Sequence, residues 1–250
     1  MTGITERLQK YYTEYKYSIV RITVKNESGD LCSGTGFHIG EGYIVTAKHI
    51  IENKLIEIIG HFESRSYECS DVFLPKDHKI DLAILKTDFT LADYMSRDYK
   101  LPPMTPGNIK KQDSIPLDWY LSSMVGRDIE LMKVLVFGYP AVPCSLKSHL
   151  LATTGEINAF IERYGNSYPH FIISVPPRGG YSGGPVIGES GHVMGVVTES
   201  LFKDSESYAD GFFAVISVDV LLNFMKENEI NPEGYDGEDW YDHGPGKIKT

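Results

Sequence analysis

The chain has 250 residues, 42% of them hydrophobic and 12% aromatic, enough to bury one large core or two small ones and unlike a disordered polymer. Its formal net charge of -10, without any block of clustered Lys and Arg, argues against a general nucleic-acid binder, because phosphate neutralisation needs such a block. Three cysteines, Cys32, Cys69 and Cys144, are odd in number and too widely spaced for a disulfide framework or a zinc-ligand set, so no metal is expected and a reducing compartment fits.

At the N-terminus, MTGITERLQKYYTEYKYSIV carries charges throughout and lacks the apolar stretch of a secretory signal. No run reaches transmembrane length. A cytoplasmic protein without membrane contact is the expectation. Residues 4–16 read as a short helix, with Thr5 as a cap and Leu8, Tyr11, Tyr12 and Tyr15 at spacings of three and four. From Tyr17 the period changes. SIVRITV, TGFHIG, GYIVTA, IEIIG and DLAILK are short, β-branched runs separated by Asn, Gly, Ser and Asp, the pattern of an all-β barrel. Periodicity then fades through a Pro-, Asp- and Ser-rich stretch containing LPPMTPG. Strands return at VLVFGYP, LLATTGEINAF, HFIISV, GPVIG, HVMGVV and GFFAVI, a second all-β unit. Helical spacing reappears only at Val218, Leu221, Leu222 and Met225, with Ser217 as N-cap and Asp219 in the first turn. The expected organisation is an N-terminal helix (1–16), a first β-barrel (17–88), a connection (89–130), a second β-barrel with a C-terminal helix (131–230) and an acidic tail (231–250).

Three segments carry chemistry: TAKH at His49, KIDLAIL at Asp81 and GGYSGGP at Ser182. A serine hydroxyl is a weak nucleophile at neutral pH. It needs a neighbouring base, and the base needs a group that sets its tautomer and stabilises its charged form. His49 follows a strand that would deliver it to a barrel rim, and Asp81 opens an apolar strand. Asp71 and Asp77 are the competing carboxylates, and neither starts a strong apolar strand. Glycines around Ser182 allow a tight turn whose backbone N–H groups converge, so those of Gly180 and Ser182 are the candidate oxyanion donors. Tyr181 is expected to contribute only its backbone. The other histidines share no ligand spacing, and no cofactor is implied.

These segments, in this order, resemble those of trypsin-like serine peptidases, and specifically the protease domain of the HtrA/Deg group. GTGFHIGEGYIVTAKHI resembles that group's strand pair leading to the histidine, DLAILK its aspartate strand, and VLVFGYP, TGEINAF and GGYSGGPVIGESGHVMGVVTES its second barrel. The resemblance runs from about Tyr17 to Phe224. It implies a chymotrypsin-like fold of two six-stranded antiparallel β-barrels, with His49 and Asp81 from the first and Ser182 from the second meeting in the cleft between them. Two positions depart from the pattern: Tyr181 replaces a small polar residue before the nucleophile, and Lys48 replaces the more usual Ala or Asn before the histidine. Neither the group's PDZ module nor the Ile-Val-Gly-Gly start of an activated zymogen is found, so activity without propeptide cleavage is expected.

By position in the family pattern the specificity pocket has its base near Pro176 and its walls at Thr198, Glu199, Ser200, Gly211, Phe212 and Phe213. With no acid at the base, a small or medium apolar side chain is expected before the scissile bond, Glu199 being the residue that could still attract a basic one. The function so read is a serine endopeptidase acting on proteins or peptides through an acyl-enzyme. Two alternatives stay open: a latent protease switched on by a protein partner, and a non-catalytic binding or signalling module. The tyrosine-rich N-terminal helix is a candidate for homo-oligomer contacts. The acidic, aromatic tail is a candidate for docking in a groove, against the plainer reading of a solvated end.

Overall fold

A computed structural model of the protein describes residues 3–61, 66–89, 129–163, 166–176, 178–201 and 212–231. Most of the expected connection and nearly all of the acidic tail lie outside the described residues.

Helix α1 (Ile4–Tyr15) begins two residues earlier than the Thr5 cap would set it. Gly3 is the N-cap, and its N–H donates to the Glu6 carboxylate at 3.2 Å. The tyrosines bind the helix to the body: Tyr11 Oη donates to the Glu189 carbonyl (3.1 Å), Tyr15 Oη to that of Gly191 (2.8 Å), and Tyr12 stacks on Phe137. Tyr15 is buried within the chain and Tyr11 half-buried, while Tyr12 stays exposed.

Six strands form the first unit: β1 (Ile19–Lys25), β2 (Leu31–Gly40), β3 (Tyr43–Thr46), β4 (Leu55–Gly60), β5 (Cys69–Phe73) and β6 (Ala83–Thr87), in the sheet order β4-β1-β2-β3-β6-β5. The two edges approach where Tyr67 N–H donates to the Ile59 carbonyl at 2.7 Å, completing a half-barrel. Strand β5 has no counterpart among the apolar runs of the sequence. Cys-Ser-Asp-Val-Phe lies on an edge with three consecutive exposed residues, so burial leaves no mark on it.

The second unit closes fully, through β7 (Lys133–Gly138), β8 (Leu151–Arg163), β9 (Asn166–Ile173), β10 (Pro185–Ile187), β11 (Val193–Leu201) and β12 (Phe212–Ser217), in the order β10-β11-β12-β9-β8-β7. The C-terminal helix, α3 (Val218–Glu227), starts at Ser217, whose hydroxyl accepts from Asp219 N–H, and seals the barrel with Leu221, Leu222, Phe224 and Met225.

Alternation along the strands holds the two units together. On β1, β3 and β6 one set of side chains (Val20, Ile22, Val24, Ile44, Ala83, Leu85) fills the first unit. Their neighbours Ile19, Val45 and Ile84 point the other way, into the core shared with the second barrel. A period of two makes each strand a two-sided wall. Each fully buried Ile, Val or Leu here contributes about 1.5–3 kcal/mol, so the cleft between the units is set by packing. The fold is the chymotrypsin-like double barrel.

Candidate active site

His49 and Asp81 come from the first unit. After β3 the chain makes a single helical turn, α2 (Lys48–Ile51), in place of the plain strand end expected from the sequence. Ile50 and Ile51 drop into the first core, and this pins the turn and leaves His49 on the outside, its side chain 45% exposed. Asp81 stands two residues before β6. Both of its carboxylate oxygens serve the histidine: Oδ1 accepts from His49 N–H at 2.9 Å and Oδ2 meets Nδ1 at 2.7 Å. A carboxylate can only accept, so Nδ1 carries a proton, and in the neutral ring Nε2 is the nitrogen with the lone pair.

Lys48, the residue that departs from the family pattern, has a structural use. Its stem is buried, and Nζ donates to the His78 carbonyl at 2.8 Å, tying the His49 turn to the loop that leads to Asp81. Lys54 Nζ reaches the His49 carbonyl at 2.6 Å. Asp77, one of the competing carboxylates, accepts from Lys79 N–H at 2.9 Å and from Tyr168 Oη at 2.9 Å, and these bonds, the first above all, hold its pKa below the ordinary value. That leaves Asp81 as the acid on His49.

Ser182 comes from the turn before β10. Gly180 (φ +100°) and Gly183 (φ +83°) take left-handed conformations that a side chain would strain. A Cβ on Gly183 would collide with the Thr35 carbonyl and the Thr46 hydroxyl and come within 2.8 Å of Ala47 N, two residues from His49. This missing methyl lets the turn reach the other unit. Thr35 stitches the approach: its N–H donates to the Ser182 carbonyl (2.9 Å), its hydroxyl donates to the Gly180 carbonyl (2.6 Å) and accepts from Tyr139 N–H (3.0 Å). With both carbonyls turned to Thr35, the N–H groups of Gly180 and Ser182 make no hydrogen bond among the described residues, and neither does the half-buried Ser182 hydroxyl.

Tyr181, expected to contribute only its backbone, also anchors its side chain in the barrel. Its ring is buried, its hydroxyl pairs with Thr153 Oγ1 at 2.8 Å, and it meets Phe213 edge to face. Of the other pocket residues, Pro176 is exposed and Thr198 is buried with its hydroxyl on the Ala214 carbonyl at 3.3 Å. Glu199 and Ser200 on β11 lie in register with Ala214 and Phe213 of β12, Phe212 is 59% exposed, and Gly211 lies outside the described residues. Thr35 and Tyr139 were not singled out by the sequence motifs. Both act over long range, Thr35 Oγ1 to Gly180 spanning 145 positions, and no local pattern marks such a partner.

The family model described as a trypsin-like peptidase domain matches residues 34–196. A probable periplasmic serine endoprotease, DegP-like, of Chlamydia trachomatis is 28% identical over 192 residues, covering 76% of this chain and 32% of that protein. The chain thus spans about a third or less of the length of the curated relatives it matches. Among solved structures, the HtrA-type protease AlgW with a tripeptide aligns over 90% of this chain and 64% of its own at 18% identity and a TM-score of 0.61. The Rv3671c protease of M. tuberculosis in its active form aligns over 90% and 87% at 20% identity and a TM-score of 0.60. With strands, cleft and a matching family model over more than half its length, the chain belongs to the trypsin-like peptidase family.

Proposed function

We propose that the protein is a serine endopeptidase working through an acyl-enzyme. Ser182 Oγ attacks the scissile carbonyl while His49 Nε2 takes its proton. Asp81 holds the imidazole in the needed tautomer and stabilises the imidazolium that forms. The carbonyl oxygen, now an anion, is received by the N–H groups of Gly180 and Ser182, each donor of this kind being worth about 3–4 kcal/mol of transition-state stabilisation. His49 returns the proton to the leaving amine, and water, activated by the same histidine, releases the acid product.

The observation that carries this reading is the double engagement of Asp81 with His49, set across the cleft from a serine turn with two unspent N–H donors. Substrates are proteins or peptides, with an apolar residue before the scissile bond. Three free thiols, at Cys32, Cys69 and Cys144, support the reducing, cytoplasmic setting. One observation favours the second reading, a latent protease switched on by a partner: the Ser182 hydroxyl is not bonded to His49 in the isolated chain. Such bonds commonly tighten only when substrate fills the site.

Digestion of unfolded casein and of a peptide library, with Ser182→Ala beside the wild type, tests the proposal. Cleavage after small or medium apolar residues that disappears in the variant is the expected result. Cleavage mainly after Lys or Arg would overturn the pocket assignment, and equal cleavage by the variant would overturn the nucleophile.

A further inference from the structure

One buried side chain of the serine turn has no part in the reaction as written. Tyr181 is 2% exposed although its neighbours Gly180 and Ser182 are only half-buried. Three strands hold it. Thr153 on β8 shares a 2.8 Å hydrogen bond with its hydroxyl, Phe213 on β12 meets its ring edge to face at 5.8 Å, and Gly138 at the end of β7 lies so close beneath the ring that a Cβ there would strike it.

The backbone around it is held unevenly. Downstream, Gly184 N–H donates to the Tyr181 carbonyl at 2.8 Å. Upstream, the Gly180 carbonyl is held by the Thr35 hydroxyl at 2.6 Å, but beyond it the hold loosens: Tyr181 N–H reaches the Arg178 carbonyl at a long 3.4 Å, and a Cβ built on Gly179 would touch nothing within 4 Å. Residue 181 lies between the two amides assigned to the oxyanion, so rotation about its φ or ψ changes the angle between their N–H vectors. The flank that could rotate is the loose one, and the tyrosine ring is its anchor.

We propose that Tyr181 is a positioning residue, whose hydrogen bond to Thr153 fixes the directions of the Gly180 and Ser182 N–H groups. The inference rests on the serine peptidase reading.

Tyr181→Phe and Thr153→Val each delete one hydroxyl and keep the shape, and Thr153→Ser keeps the hydroxyl. On fluorescein-labelled casein, the first two are expected to lower kcat about tenfold with KM within about twofold. Fluorophosphonate labelling should slow by a similar factor, the double variant should be no worse than either single, and Thr153→Ser should stay near wild type. Full kcat and full labelling rate in both single variants would overturn the lock, as would a loss confined to KM. A wild type that neither cleaves nor labels counts instead against a serine activated in the isolated chain and favours the partner-activated reading. The lock is still read in that case from the amide resonances of Gly180 and Ser182 in 15N-labelled protein. They shift in Tyr181→Phe and Thr153→Val if the lock exists, and unchanged resonances contradict it.

Discussion

The two sides of the cleft are held by different forces. On the His49 side the site rests on polar contacts at an open surface: two hydrogen bonds to Asp81 from a histidine that is almost half exposed. On the Ser182 side it rests on close approach, with glycines at 138, 180, 183 and 184 packed where no Cβ fits. Polar, exposed geometry can be altered without disturbing the fold, whereas close-packed geometry cannot. The base side should therefore separate activity from stability, and the nucleophile side should couple them.

The largest expected effect tests that separation. His49→Ala and Ser182→Ala should each lower kcat by about 10⁴–10⁶-fold, and Asp81→Asn by about 10⁴-fold, while urea unfolding of the His49 variant shifts by no more than about 0.5 kcal/mol. A large loss of stability in His49→Ala would break the comparison from one side. Gly183→Ala tests the other. Added bulk against Thr35 and Thr46 together with a positive φ should cost about 3 kcal/mol of stability and take activity down with it. A stable, fully active Gly183→Ala would show that the turn has room the packing denies.

Acid sharpens the comparison within the first unit. His61 is buried between Tyr67, whose hydroxyl is 3.1 Å from Nδ1, and the Tyr17 carbonyl, 2.6 Å from Nε2. Burial lowers its pKa from 6.5 to about 4, the Tyr17 bond opposing and the charge of His38 adding to the fall. The unfolded chain therefore binds the proton first. Stability from this group is full above about pH 6.5 and is lost as pH falls toward 4, by up to about 3 kcal/mol. Urea midpoints across that window should fall in the wild type and flatten in His61→Gln. The smallest effect concerns α1: Tyr15→Phe removes the bond to Gly191 and should cost about 1 kcal/mol with activity unchanged, seen by thermal unfolding and casein cleavage.

How much of this was legible in the sequence follows the same division. Strands whose two faces are both buried, such as IVRITVK and VLVFG, announce themselves as β-branched runs, and the Ser217 cap reads directly. The segments of His49, Asp81 and Ser182 stood out because each lies beside such a run, and the fold brings His49 and Asp81 into hydrogen-bond contact. The edge strand β5 was not, since exposure removes its apolar pattern. The one-turn helix α2 was missed because Ile50 and Ile51 read equally well as strand residues. Thr35 and the buried ring of Tyr181 escaped because their partners lie far along the chain, and only the folded cleft brings Thr153 and Gly138 beside residue 181.

The most direct measurement is the reaction of the folded, purified chain with a fluorophosphonate probe, with the adduct mapped by peptide mass spectrometry. A single adduct on Ser182 in the wild type, strongly reduced in His49→Ala and absent in Ser182→Ala, is the predicted result. No adduct in a protein shown to be folded, or an adduct on another residue, would contradict an activated serine at this site.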